Sequence, residues 1–154
     1  MASEEQLGAW RAVWRADSLL FAHLNNRLRA RAGMTYFEHE VLAALDRAGG
    51  RLRMAPLAAA LMISRSGATR LVTKLETKDG WVVRATPPTD RRATWAELTP
   101  AGRDALAAAR PLVDGVVAAF FADHLSPAEL RSLARALDRL ADANPGSSDT
   151  ECGL

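Results

Sequence analysis

Cysteine is almost absent from this chain of 154 residues, and the single one, Cys152, lies in a polar C-terminal tail. One thiol forms neither a disulfide framework nor a cysteine metal site, which is typical of proteins in a reducing cytoplasm. The sequence also lacks a basic and then apolar leader, and it has no unbroken apolar run of about 20 residues. We therefore expect a soluble, cytoplasmic protein.

The histidines form no recognisable catalytic or metal-binding pattern. His39 lacks the second histidine four residues away that a zinc-protease helix carries, and His124 has no neighbouring cysteine or histidine. No glycine-rich phosphate loop and no Ser/His/Asp grouping can be identified. The sequence predicts no enzyme activity, no metal and no cofactor.

Positive charge is concentrated in one segment. The net charge of the whole chain is only +2, but residues 64–92 carry seven arginines or lysines against three acids, a local net charge of +4. The remainder of the chain is then −2. This asymmetry indicates a local surface that binds a polyanion, whereas the rest of the chain would not attract one.

Apolar spacing and capping residues predict a mainly α protein with a small β-hairpin wing. Helical spacing extends from about Ser3 to Arg31, Thr35 and Glu38 form a capping box, and a short extended piece precedes a helix near Pro56. Two short strands, 81–85 and 93–98, form a hairpin, and two helices start at Thr99 and Ser126. We predict a dimerisation helix (1–34), a winged helix-turn-helix (35–99), C-terminal dimerisation helices (100–142) and a disordered tail (143–154).

The predicted helix 64–79 has two unlike faces. Ala68, Leu71, Val72 and Leu75 fall on the inner face, whereas the outer face is short, polar and basic. Such a face suits the major groove, where hydroxyl groups and cations reach base edges and phosphates. The predicted DNA contacts of this recognition helix are Ser64, Arg65, Ser66, Thr69, Arg70, Thr73 and Lys74.

The hairpin tip, residues 86–92, carries two arginines on a proline-rich loop. Arginine in such a loop can enter a narrow minor groove, where the negative potential is strongest. We expect Asp90 to pair with Arg92 or with a basic residue of the recognition helix. The predicted wing contacts are Arg84, Asp90, Arg91 and Arg92.

The segments "ISRSGATRLVTKLETKDGWVVR" and "PPTDRRATWAELTPAGRDAL" resemble the multiple-antibiotic-resistance regulator (MarR) family of winged helix-turn-helix proteins. The resemblance covers most of the chain, from about Thr35 to the helix start near Leu125. It implies a homodimer that binds a pseudo-palindromic operator, usually as a repressor that a small, often aromatic, ligand releases. One departure is that three residues separate Leu75-Glu76 from Gly80 where two are expected, so the recognition helix is either longer or distorted in its last turn.

Asp17 interrupts the apolar stripe of the first helix, which also carries Trp10 and Trp14. Together with His23 these residues are a candidate pocket for an aromatic effector, since indole rings stack well on aromatic ligands. The alternative, which we favour, is structural: the tryptophans fill the dimer core, Asp17 lies at its edge and His23 is an ordinary helix residue. A buried Asp17 would need a charged partner.

A second function would fit the same fold, namely a winged helix that binds proteins without specific DNA recognition. That function requires apolar or acidic residues on the outer face of residues 66–77, and the sequence places polar and basic ones there. The sequence therefore favours a DNA-binding regulator.

Overall fold

The computed structural model describes residues 1–86 and 94–144. Within these residues, six helices and three strands follow one another in the predicted order. They are α1 (Glu4–Ala32), α2 (Tyr36–Arg47), β1 (Arg51–Arg53), α3 (Met54–Ala60), α4 (Arg65–Lys74), β2 (Val82–Ala85), β3 (Trp95–Leu98), α5 (Pro100–Phe120) and α6 (Pro127–Ala143). A π-helical turn, Leu75–Asp79, continues α4, and a 3-10 turn, Ala122–His124, follows α5.

The predicted helix starts are confirmed by their caps. Thr35 and Ser126 each form a capping box, with Glu38 and Glu129 respectively, and the Thr99 side chain accepts a hydrogen bond from the Gly102 amide. Ser64 caps α4 in the same way. These short polar side chains satisfy amide groups that have no partner within the helix, which fixes where each helix begins.

The three strands form one antiparallel sheet in the order β1-β3-β2. Strand β3 is central: Trp95 pairs with both Arg53 and Ala85, and Leu98 pairs with Val82. The predicted hairpin is thus β2 and β3, and the predicted extended piece before α3 becomes its third strand. Val82, Ala96 and Leu98 face the core.

The core lies between α2, the inner faces of α3 and α4, the sheet and the middle of α5. Its fully buried large side chains include Leu28, Met34, Val41, Leu42, Leu45, Leu57, Val72, Leu75, Val82 and Leu106. The inner face predicted for the recognition helix is confirmed, since Ala68, Val72 and Leu75 are buried and Leu71 packs against the same cluster. This core supports α4 from behind and leaves its other face free.

Gly102 explains part of the "LTPAG" segment. A side-chain carbon at this position would lie 2.1 Å from the Trp81 carbonyl oxygen, far inside van der Waals contact. Thr99 bonds the same region, since its amide donates to the Trp81 carbonyl and its hydroxyl to the Gly80 carbonyl. The absence of a side chain lets the first turn of α5 pack directly on the start of β2.

Some details differ from the prediction. Helix α3 begins at Met54, two residues before Pro56, because proline fits the first turn of a helix, where its missing amide is not needed. The apolar spacing of α2 would place Phe37 on the same inward face as Val41, but Phe37 is 39% exposed, and its ring contacts Phe21 of α1 edge-on instead of entering the core. The predicted tail falls mainly outside the described residues, and helix α6 extends to Ala143.

Large apolar side chains are exposed on α1, α5 and α6. On α1 they are Leu7, Trp10, Val13, Trp14, Leu19 and Phe21; near the end of α5, Val117 and Phe120; on α6, Leu137 and Leu140. Helix α6 buries none of its residues in the single chain. Separately, the segment Pro100–His124 is by length and composition apolar enough to cross a membrane, but the core helix of a soluble protein meets the same criteria.

Candidate nucleic-acid interface

The outer face of α4 presents cations and hydroxyl groups to solvent. Arg65, Ser66, Thr69 and Arg70 are exposed, and Thr73 is half-buried. Arg65 and Arg70 have no ion pair with any residue that the structure describes. Their guanidinium groups are therefore available to an external anion, and guanidinium matches phosphate and guanine edges in geometry.

Three of the predicted hydroxyl contacts, Ser64, Ser66 and Thr69, already have intramolecular partners. The Ser64 oxygen accepts from the Gly67 amide at 3.1 Å and lies 3.1 Å from the Ser66 hydroxyl oxygen. The Thr69 hydroxyl donates to the Arg65 carbonyl at 2.9 Å. The exposed Thr69 hydroxyl oxygen can thus still accept a hydrogen bond from outside, and a threonine methyl group suits contact with a thymine methyl.

Lys74 is placed differently from the other predicted contacts. Its ammonium group lies against Oε1 of Glu38, whose side chain is only 3% exposed. Burial alone would raise the pKa of Glu38, but Lys74 and the amide and hydroxyl of Thr35 outweigh it and hold the pKa below its ordinary value. The carboxylate is therefore charged at neutral pH, and Lys74 neutralises it.

Arg84 joins the base of the wing to the end of the recognition helix. Its amide donates to Glu76 Oε1 at 2.9 Å and its Nε to Glu76 Oε2 at 2.7 Å. These two bonds lower the pKa of Glu76, the backbone one contributing most. The other predicted wing residues, Asp90, Arg91 and Arg92, lie outside the described residues, so their DNA contacts and the pairing expected for Asp90 stay predictions.

The extra residue before Gly80 is accommodated by the π-helical turn Leu75–Asp79. The amide groups of Gly80 and Trp81 both donate to the Leu75 carbonyl, and Gly80 ends the turn in a left-handed conformation. A π turn takes one more residue than an α turn, which is how helices commonly absorb an insertion. Of the two alternatives, the distorted last turn is therefore the observed one.

Met62 forms the turn between α3 and α4 with a backbone φ of 52°, the only positive φ of a non-glycine residue in the described chain. Its amide donates to the Ala59 carbonyl and the next amide, of Ile63, to the Ala58 carbonyl. These bonds hold the turn tight, and its strained conformation is one that L residues seldom adopt.

The candidate ligand residues do not converge in the single chain. Trp10 and Trp14 are each 64% exposed, so the chain itself encloses neither ring. The His23 ring stacks on Phe120 at 3.9 Å between centroids. The pKa of the Tyr36 hydroxyl is raised mainly by burial and then by Glu40, and Asp17 lies near enough to raise it slightly further. The described residues therefore do not bring these four side chains into one enclosed site.

Three arrangements near the interface were not predicted. Glu38 was recognised only as part of a capping box, and nothing local in the sequence marks Lys74 as its partner. The Asn25 side chain accepts from the Tyr36 amide at 3.0 Å and so ties α1 to the start of α2. On the outer face of the sheet, the guanidinium groups of Arg51 and Arg53 lie 5.0 and 5.3 Å from the centroid of the Trp95 ring.

Two helices joined by a tight turn, with a sheet behind them and a polar, basic second helix, define a winged helix-turn-helix protein of the DNA-binding class. Similarity to known proteins identifies the family within this class. The MarR family sequence model matches residues 32–93. The chain is 33% identical to Sco3205, a MarR family transcriptional regulator from Streptomyces coelicolor solved in complex with DNA (TM-score 0.89, 97% of each chain covered).

A second regulator of the same family from Streptomyces coelicolor, AbsC, is 30% identical over 96% of this chain and 99% of its own, with a TM-score of 0.87. The chain therefore belongs to the MarR family of transcriptional regulators. A mutant of MarR from E. coli, solved with operator DNA, shares the fold at 23% identity and a TM-score of 0.78 over 88% of this chain and 95% of its own. A search of curated proteins finds no match.

Proposed function

We propose that this chain acts as a homodimeric, sequence-specific DNA-binding repressor, with α4 in the major groove and the wing, residues 86–92, in the minor groove. The observation that carries the proposal is the outer face of α4, a helix fixed by the core. There, two arginines without an ion pair to any described residue flank polar side chains. The chain is then divided as expected from its sequence: residues 35–99 bind DNA, and 1–34 and 100–142 form the dimer.

Within α4 we propose that Arg70 and Ser66 contact base edges and that Thr69 contacts a thymine methyl group. We assign Arg65 and Thr73 to the phosphate backbone of the DNA. Arg70 follows Thr69 on the exposed side, one turn after Ser66, so these three side chains lie on one stripe. Ser64, as the helix cap, positions the first turn toward a phosphate, because helix N-termini attract anions.

The exposed apolar side chains support the dimer. A second copy that covers the start of α1 and the faces of α5 and α6 would bury the tryptophans and leucines that the single chain leaves in water. Each Å² of apolar surface buried in this way would stabilise the dimer by about 25 cal/mol. With a two-fold axis, two α4 helices would meet successive major grooves about 34 Å apart.

The dimer is tested by Trp14→Glu, with Ala16→Glu on the opposite side of α1 as the matched control. Light scattering with size exclusion should give about twice the chain mass for the wild type and the control, and a single chain mass for Trp14→Glu. A Trp14→Glu variant that remains dimeric would exclude this face from the interface.

We propose a small aromatic effector as the regulator of DNA binding. Other proteins of this fold were solved with such molecules or are regulated by them: RdhR-CbdbA1625 with 2,4-dichlorophenol, and BpsR of Bordetella bronchiseptica with 6-hydroxynicotinic acid. In this chain the candidate contacts are Trp10, Trp14, Asp17 and His23, with the tryptophans supplied where two copies meet. Quenching of tryptophan fluorescence across a panel of phenols and aromatic acids would identify ligands, and release of labelled DNA would show which ones act.

The DNA-binding proposal is tested by fluorescence anisotropy with the DNA that flanks the protein's own gene and with unrelated duplex as competitor. We expect binding that resists competitor, with two chains per site. Arg70→Ala should weaken it by about 1 to 3 kcal/mol if Arg70 contacts a base, and Arg131→Ala on α6 serves as the control. Loss that is equal on all sequences would assign Arg70 to phosphate; no loss would remove it from the interface.

We further propose that the chain works in the cytoplasm as a regulator and not as an enzyme. Its membership of a family of transcriptional regulators supports both statements. Fractionation of cells that express the protein, with DNA-binding activity followed in each fraction, would test its location.

A further inference from the structure

Glu38 is a buried carboxylate with two separate tasks. Its Oε2 accepts the Thr35 amide hydrogen at 2.6 Å and so closes the capping box of α2. Its Oε1 faces the ammonium group of Lys74 on α4, 36 positions later in the chain. Without this cation the buried carboxylate would either stay charged with no ion-pair partner or take up a proton, and both cost free energy.

The other capping boxes of the described chain show that the second task is not part of capping. Ser3 with Gln6 and Ser126 with Glu129 form the same pair of bonds. Neither Gln6 nor Glu129 has a cation beside it among the described residues, and both boxes are exposed. The Lys74 contact is therefore particular to α2, one of the helices against which α4 packs.

The first turn of α2 is held on both sides. On one side the Asn25 side chain of α1 accepts the Tyr36 amide hydrogen, and on the other Glu38 holds Lys74, the last residue of α4 before the π-helical turn. Polar contacts thus lead from the helix expected to form the dimer to the end of the recognition helix. Lys74 is 46% exposed, so its stem reaches the pair along the protein surface.

We infer that Glu38 is a positioning residue for DNA recognition: through Lys74 it fixes the direction in which α4 projects from the core, and Lys74 serves this contact instead of binding phosphate. The inference rests on the proposed function and replaces the predicted DNA contact of Lys74. It makes a buried residue that cannot touch DNA a determinant of operator affinity.

The test measures affinity for operator DNA and for unrelated duplex between about 50 and 300 mM salt, for Lys74→Gln, Glu38→Gln and the double variant. Gln at position 38 keeps the capping bond, since a capping box accepts Glu or Gln. Each single variant should lose about tenfold in operator affinity, within the range by which residues that touch no ligand modulate binding. The double variant should lose no more, and the salt dependence should keep its slope.

A slope that falls by about 0.9 in Lys74→Gln would show a lost phosphate contact and overturn the inference. Unchanged operator affinity in Glu38→Gln would also overturn it. Glu129→Gln, which alters a capping box without a cation, is the matched control and should bind like the wild type. Lys74→Arg keeps the charge pair and should restore most of the affinity.

Two readouts keep the result interpretable. If Glu38→Gln does not fold, the half-exposed Lys74 variants still test the pair through slope and rescue. If the wild type binds no operator, the proposed function fails, and hydrogen exchange of the free protein then tests only whether the Glu38–Lys74 pair fixes α4. Faster exchange of α4 amides in Lys74→Gln than in Lys74→Arg supports positioning, and equal exchange refutes it.

Discussion

Replacing Met62 by glycine should stabilise the protein, although it removes a side chain. Met62 occupies the left-handed region at φ 52°, which costs a residue with a side chain about 1 to 2 kcal/mol. Its side chain is 91% exposed, so almost no buried surface is lost. Glycine gives back about 0.5 to 1 kcal/mol because it loosens the unfolded chain. The net gain is about 0.5 to 1 kcal/mol.

Urea unfolding followed by circular dichroism measures this effect, with Met62→Ala as the control that removes the thioether and keeps the side-chain carbon. We expect a higher midpoint for Met62→Gly with an unchanged slope, and a rise of roughly 1 to 4 °C in melting temperature. Met62→Ala should stay within about 0.5 kcal/mol of the wild type. If Met62→Gly were no more stable than Met62→Ala, the turn would not be strained.

Three further predictions concern the packing and the charges around α4. Gly102→Ala should destabilise the fold by more than about 3 kcal/mol, since backbone atoms of Trp81 would have to move. Gly115→Ala, whose added carbon meets no atom within 4 Å, is the matched control in the same urea experiment. Similar unfolding midpoints for the two variants would refute the close approach. The folded-state pKa of Glu38 is depressed. The stability that the ionised carboxylate adds to the fold is therefore present above its unfolded pKa of about 4.3 and is lost as the pH falls through the folded-state pKa. Between about pH 6 and 3, the melting temperature should thus fall less steeply in Glu38→Gln than in the wild type, and parallel curves would contradict this. Glu76→Gln should weaken the Arg84 contact, and faster hydrogen exchange at the Arg84 amide, with the Val72 amide as internal reference, would show it; unchanged exchange would mean that the carboxylate does not hold the wing base.

Local sequence patterns predicted the parts of this fold that local physics decides. Ser64, Thr99 and Ser126 cap helices because their side chains reach amides three residues ahead. The spacing of Ala68, Val72 and Leu75 settled which side of α4 is buried. Such signals lie within one or two turns of a helix, so they can be recognised without knowing any contact between distant segments.

What the sequence did not indicate depends on contacts between distant segments. The pairing of Lys74 with Glu38 joins residues whose separate patterns, an outer basic face and a capping box, are each complete without the other. The left-handed Met62 carries no signal, since methionine is uncommon in that conformation. Phe37 fitted the apolar spacing of α2, but the ring of Phe21 offered it a contact outside the core.

The π-helical turn gives this protein a tolerance for changes in length. An inserted residue in a regular α-helix would rotate everything after it by about 100° and advance it by about 1.5 Å, which would carry the hairpin out of register with the helix before it. Here the residue beyond the expected spacing is contained between Leu75 and Gly80, and Glu76 meets Arg84 while β2 pairs with β3. We therefore expect single-residue gains and losses among related sequences to fall at this junction, and an alignment that placed them elsewhere would contradict this.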